Sequence, residues 1–181
     1  MQRLVLVPTE LEVRALGPLE HAELCGFGPI AAAARTAALL AERRPERVVL
    51  VGIAGTYDAS AAPVGSALAI DRVAIDGFDG SGFEPWPGVG ATLALRSSTS
   101  PRTLVTVLVP SSSAAEAAER RRRHPGAIAE DMEGYGVAVA CAIARVPLAI
   151  VRGISNEAGD RNVRGWKIRE ALAAARELAL A

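Results

Sequence analysis

The chain has 181 residues, half of them hydrophobic but only 4% aromatic, so one domain with a core built from Ala, Val, Leu and Ile is expected. Twenty basic and twenty acidic residues cancel and neither end collects one sign, which argues against nucleic acid or an anionic membrane as partner. Two cysteines, Cys25 and Cys141, sit in apolar stretches without CxxC spacing or a histidine cluster; they predict buried thiols in a reducing, cytoplasmic setting, with no metal site.

Residues 3–7 form a short apolar strand that Pro8-Thr9 ends, and residues 10–16 have helical spacing, so Glu12 lies just past the strand's C-terminal end. Residues 21–25 predict a second strand. Gly26-Phe27-Gly28-Pro29 is a turn with proline at the start of a helix over residues 30–43. Residues 48–51 follow as a fully apolar strand of parallel type, ending in Gly52-Ile53-Ala54-Gly55, where small residues let the backbone approach a ligand closely. Residues 67–75 read as one strand, and the Gly/Asp/Pro-rich residues 76–90 as a long loop carrying Phe78, Phe83 and Trp86.

Residues 103–109 predict a strand and residues 113–123 a helix opened by a serine cap. The basic run Arg120-Arg121-Arg122-Arg123 then reads as a solvated helix end that complements the dipole. Glu130-Asp131-Met132-Glu133 leads into a helix over residues 134–145. Residues 148–151 are the last buried strand, ending in Arg152-Gly153-Ile154-Ser155-Asn156, and an amphipathic helix covers residues 163–180. No apolar run reaches membrane-spanning length. The alternation predicts a three-layer α/β/α sandwich around a central mixed, mostly parallel sheet, with ligand chemistry at the strand C-termini.

Gly26-Phe27-Gly28-Pro29-Ile30-Ala31 satisfies GxGxxG/A, the start of a dinucleotide fingerprint. The fingerprint also wants an acidic residue at the end of the next strand, where this chain has Val51-Gly52, and Pro29 removes a donor that a pyrophosphate would use. A tight turn is the expected reading, and no cofactor is expected.

Polar or glycine-rich groups end three apolar strands, at Glu12, at Gly52 to Gly55 and at Arg152 to Asn156, and Met132-Glu133 arrives at a helix entrance. Singly, Glu12 and Glu133 are also what a helix dipole favours in a first turn, and Arg152 is also an ordinary ion-pair partner. Together, Val7-Pro8-Thr9-Glu10-Leu11-Glu12-Val13, Cys25-Gly26-Phe27-Gly28-Pro29, Val51-Gly52-Ile53-Ala54-Gly55, Asp131-Met132-Glu133-Gly134 and Arg152-Gly153-Ile154-Ser155-Asn156 resemble, in order, the signature segments of the nucleoside phosphorylase/nucleosidase superfamily.

The resemblance implies cleavage of the N-glycosidic bond of a purine nucleoside. It implies that Glu12 activates water, that Glu133 grips the ribose hydroxyls and that Met132 packs on the sugar. Arg152 then lies near the water and the carboxylates, Asn156 faces the purine with Ser155 beside it, and Ile53, Ala54 and Gly55 line the pocket. Phosphorylases of the superfamily typically carry an arginine just before the glycine-rich strand end, where this chain has Val51. Water is therefore the expected nucleophile, since a dianion there lacks a cation; Arg14 and Arg35 are the side chains that would restore phosphorolysis.

Adenine-releasing members carry aspartate at the position of Asn156. An amide presents one acceptor and one donor, which suits a 6-oxo purine, and the segment as a whole looks most like the futalosine hydrolases, which release hypoxanthine. That substrate carries an aromatic carboxylate on its 5′ side, with Phe83, Phe78 and Trp86 as candidates to face it. About a dozen residues separate Glu12 from Cys25, where relatives carry an extra hairpin. A homodimer is implied by the resemblance. A methylthioadenosine/adenosylhomocysteine-type nucleosidase, a purine nucleoside phosphorylase and a nucleoside-storage protein on the same fold remain the alternatives.

Overall fold

Alternate residues of the central strands face opposite helical layers, as the two-residue period of a strand requires. In the computed structural model, which describes residues 3–78 and 86–180, the elements are, in chain order, β1 (Arg3–Val7), α1 (Glu10–Leu16), β2 (Ala22–Leu24), α2 (Pro29–Arg43), β3 (Arg47–Thr56), β4 (Ala67–Ala69), β5 (Arg72–Ile75), β6 (Thr92–Ala94), β7 (Thr103–Thr106), α3 (Ala114–Arg123), β8 (Ala127–Asp131), α4 (Gly134–Ala144), β9 (Leu148–Glu157), a 3-10 turn (Val163–Gly165) and α5 (Ile168–Leu180). Leu4 and Leu6 of β1, Val48 and Leu50 of β3 and Ile150 of β9 pack with Ala32, Leu39, Val137 and Cys141 of α2 and α4. Val5, Val7, Val49, Val51 and Val151 turn the other way, onto Leu16, Leu172 and Ala175 of α1 and α5. Two helical layers thus enclose a sheet that is buried on both faces, the predicted sandwich.

The sheet runs β2-β1-β3-β8-β7-β5-β6, with β9 also paired to β3 and β4 paired to β9. Pairs β1/β2, β1/β3, β3/β9, β5/β7 and β7/β8 are parallel; β3/β8, β4/β9 and β5/β6 are antiparallel. β3 is the branch point. Its first half lies beside β1 while its last two residues, Gly55 and Thr56, turn to β8, so the C-terminal ends of β1, β3, β8 and β9 gather at one place.

Several boundaries differ from the sequence expectation. β3 and β9 each run ten residues, through Gly52 and Arg152 where the apolar runs stop. Residues 67–75 are two strands, because Asp71 leaves β9 for β7: its carboxylate accepts the Arg102 backbone N–H at 2.8 Å and pairs with Arg96 and Arg102. The final helix starts later, at Ile168, after the Lys167 backbone N–H has bonded to the Ser155 carbonyl at 2.8 Å. The basic run is also not uniformly solvated. Arg120 is buried and bonded to Asp76, Glu116 and Glu130, while Arg121, Arg122 and Arg123 pair with Asp58, Glu119 and Asp76. No helix among the described residues is long and apolar enough to cross a membrane.

Candidate active site

Thr9 caps α1 in an extended conformation, accepting the Glu12 backbone N–H at its hydroxyl. Its hydroxyl in turn donates to Glu12 Oε2 at 2.7 Å, a variant of the capping box in which the third helical residue reaches back to the cap. Glu12 Oε1 accepts the Ile53 backbone N–H of β3 at 3.0 Å. The buried carboxylate therefore spans from the first helix to the branch strand and is held at both oxygens.

At the end of β8, Asp131 accepts from the Thr106 hydroxyl at 2.7 Å and from the Gly134 backbone N–H at 2.8 Å, and pairs with Arg152. Glu133 accepts the Gly28 backbone N–H at 3.1 Å and lies 3.4 Å from Arg152 Nη2. Burial pushes the Glu133 carboxyl up to about 7, with the Asp131 charge adding to the rise while Arg152 and the Gly28 N–H hold it back. Arg152 is completely buried. Burial works against its charge, yet Asp131, Glu133 and Glu12 together raise its pKa. Ion pairs this deep contribute little net stability because desolvation offsets the attraction; what they fix is geometry.

Gly52 is the floor of this group. A side chain there would overlap Arg152 Nη1 and come within 2.8 Å of Glu12 Oε1. The arginine thus approaches the carboxylates from behind and does not line the cleft.

Asn156 follows an irregularity in the β3/β9 pairing: Ala54 is opposite Ile154 but Gly55 is opposite Asn156, leaving Ser155 as an extra residue. Such a bulge re-aims the side chains that follow it. The Ser155 hydroxyl donates to Asn156 Oδ1 at 2.7 Å and Asn156 Nδ2 donates to the Glu157 carbonyl at 2.8 Å. Since a carbonyl can only accept, the second bond fixes which end of the amide is NH2, and one N–H and one lone pair remain for a ligand.

These groups meet at one cleft of about 400 Å³. Glu12, Ile53, Ala54, Gly55, Met132, Glu133, Ser155 and Asn156 all line it. Phe83 lies outside the described residues. Phe78 and Trp86 are exposed and do not line the cleft. Its apolar walls come instead from Leu11, Phe27, Val107, Trp166 and Ile168, with Thr9, Ser111 and Arg161 as further polar members. Arg14 pairs with Glu10 and Arg35 with Glu23 and Glu42, and neither lines the cleft. The turn at Gly26 to Pro29 has its own task, since the Gly28 N–H is engaged by Glu133.

The Thr9 contact was legible as a T-x-x-E capping pattern. Trp166 and Arg161 carried no such signal, because Arg161 falls between the last strand and the expected final helix and Trp166 at that helix's start, outside any motif.

A model of the phosphorylase superfamily matches residues 20–181. Futalosine hydrolase from Streptomyces coelicolor is 42% identical over 171 residues, covering 82% of this chain and 72% of that protein. Futalosine hydrolase from Acidothermus cellulolyticus is 48% identical over a shorter stretch of 69 residues, 38% of this chain and 28% of that protein. Among solved structures, a 5′-methylthioadenosine/S-adenosylhomocysteine nucleosidase from Colwellia psychrerythraea, in complex with adenine, superposes with a TM-score of 0.82 at 22% identity, covering 99% of this chain and 93% of that one. Futalosine hydrolase of Helicobacter pylori gives 0.80 at 14% identity, covering 97% and 94%. At those identities the structures speak to the fold alone, and the sequence relationship carries the rest: this chain belongs to the phosphorylase superfamily and, within it, to the family of the futalosine hydrolases.

Proposed function

We propose that this chain hydrolyses the N-glycosidic bond of futalosine and releases hypoxanthine. The observation that carries the reading is the convergence on one cleft of Glu12, Glu133 and Asn156, from three separate parts of the chain. Glu12 holds the attacking water and takes its proton as the water oxygen bonds to C1′. The C1′–N9 bond breaks and its electron pair leaves with the base. Positive charge develops on the sugar between Glu12 and Glu133, whose carboxylate accepts the ribose hydroxyls, so both acidic groups are more useful in the transition state than in the ground state. Met132 packs on the sugar.

Asn156 uses its remaining lone pair on a protonated N7 and its remaining N–H on the 6-oxo group. It has no titratable proton, so the proton on N7 comes from solvent. Arg152 acts as a positioning residue, neutralising Asp131 and Glu133 from below. Hydrolysis is favoured over phosphorolysis because Arg14 and Arg35 are engaged elsewhere, and a phosphate dianion beside Glu12 would meet like charge.

The reading includes a homodimer, supported by the exposure of Phe27 and Ile30, 63% and 77%, at the turn that borders the cleft. It also includes action in the cytoplasm, which the two buried free thiols fit. The test is incubation of the purified protein with futalosine, inosine and methylthioadenosine, with and without phosphate. Hypoxanthine and a sugar product free of phosphate are expected from futalosine. Adenine release from methylthioadenosine at a higher kcat/KM, or strict dependence on phosphate, would refute it.

A further inference from the structure

Six ionisable side chains line the cleft: Glu12, Glu130, Asp131, Glu133, Asp160 and Arg161. Each of the five carboxylates accepts a hydrogen bond from the protein. Arg161 is the exception: among the described residues its guanidinium has neither an ion-pair nor a hydrogen-bond partner, and it is the cleft's only cation.

The loop that carries it is nevertheless fixed. Gly159 adopts φ +92° and sits so tightly on the start of α3 that a side chain there would overlap the Ser113 backbone. The Asp160 N–H bonds to the Glu157 carbonyl at 3.0 Å, and Asp160 Oδ1 accepts the Asn162 N–H at 2.8 Å. A cation is thus presented from an ordered loop into a cleft whose neighbouring wall, Val163, Trp166 and Ile168, is apolar. Ligand groups that cover such a wall also strip water from the guanidinium, and an anion on the ligand is what offsets that loss.

We propose that Arg161 is a specificity-determining residue that binds a carboxylate on the 5′ substituent of the nucleoside. This rests on the nucleosidase reading above. Under it the base is taken by Asn156, the ribose hydroxyls by Glu133 and the attacked carbon faces Glu12, so the 5′ side is the part of the substrate still without a polar partner. The planar guanidinium fork matches a carboxylate in two parallel hydrogen bonds, and an apolar or aromatic spacer fits the wall around Trp166.

The experiment compares futalosine with its neutral carboxamide on the wild type, R161A and R161K, reading kcat/KM for hypoxanthine release. The wild type is expected to prefer the carboxylate by about 10- to 100-fold, chiefly through KM. In R161A that ratio should fall to within about two-fold of one, and R161K should lie between. A ratio kept in R161A overturns the role of Arg161 while leaving the substrate reading intact. A phosphate-dependent reaction lost in R161A overturns it too, since the arginine would then serve the nucleophile. A wild type that cleaves neither compound overturns both readings.

Discussion

Gly28 and Glu133, 105 residues apart in the chain, are joined by a backbone N–H to carboxylate hydrogen bond of 3.1 Å. The bond exists because α2 and α4 touch at their first turns. A side chain on Gly136 would overlap the Pro29 carbonyl, so glycine at that position is what lets the two helix starts meet.

Gly136→Ala should therefore damage activity and stability together. Overpacking of this kind costs about 1–3 kcal/mol, and separation of the helix starts releases Glu133. A drop in melting temperature with at least a roughly ten-fold loss in kcat/KM is expected. A variant that melts and turns over like the parent would show that the helix contact does not position the carboxylate.

Glu133 links activity to pH. Burial raises its carboxyl to about 7 in the folded protein, against 4.5 for the free group, and under the proposed function it is the charged form that accepts both ribose hydroxyls. The kcat/KM profile should rise as pH increases through about 7. Stability moves the other way. The folded state holds this proton more tightly than the unfolded chain does, so its contribution is complete below pH 4.5 and is lost as pH rises towards 7. Glu133→Gln removes the ionisation and should melt about 2–4 °C above the wild type at pH 8, while losing at least roughly 100-fold in activity. Equal melting temperatures at pH 8 would argue against an ionised, desolvated Glu133.

Gly52 admits no side chain between Arg152 and Glu12. Gly52→Ala should lower kcat by about 100-fold or more, because under the proposed function Glu12 holds the attacking water, and a shift of an ångström there is felt in the chemical step. Steady-state kinetics against inosine and futalosine, with a melting curve to confirm folding, measures this. A kcat within two-fold of wild type, or about that, would mean that Arg152 can retreat without moving Glu12.

Thr9→Val separates the two roles of the threonine. Loss of the cap should cost about 1 kcal/mol of stability, and loss of the hydroxyl at Glu12 Oε2 should reduce kcat about ten-fold with little change in KM. Thr9→Ser is expected to restore both. Failure of serine to rescue kcat would place the effect in packing and not in the hydrogen bond.

Asn156→Asp should shift base preference towards adenine nucleosides, since a carboxyl can protonate N7 and accept from a 6-amino group. The ratio of kcat/KM for adenine- and hypoxanthine-releasing substrates is expected to change by about ten-fold or more. An unchanged ratio would mean that base choice is set elsewhere in the cleft.

The sandwich was legible in the sequence because β1, β3 and β9 carry short apolar runs and α1, α2 and α3 start at Thr9, Pro29 and Ser113, a cap or a proline in each case. The exceptions have local causes. Gly52 and Arg152 end the apolar runs but not β3 and β9, since backbone pairing continues through them. Asp71 divides residues 67–75 by binding the Arg102 backbone, a partner from a distant segment that no window of sequence contains. Arg120 is buried with Asp76 and Glu130, from distant parts of the chain, as its carboxylate partners. At the cleft, Glu12, Met132, Glu133 and Asn156 belong to contiguous motifs and could be named together. Arg161 and Trp166 belong to none, and only the path of the chain after β9 brings them to the same wall.

The extra residue at Ser155 gives that stretch of β9 an odd count where its neighbour has an even one. Removal of this single serine would restore regular pairing, with Asn156 directly after Ile154 and still opposite Gly55. The amide would keep its face of the sheet and lose both the local kink and the hydroxyl that holds its Oδ1, so a deletion here should disturb the side chain more than an exchange does.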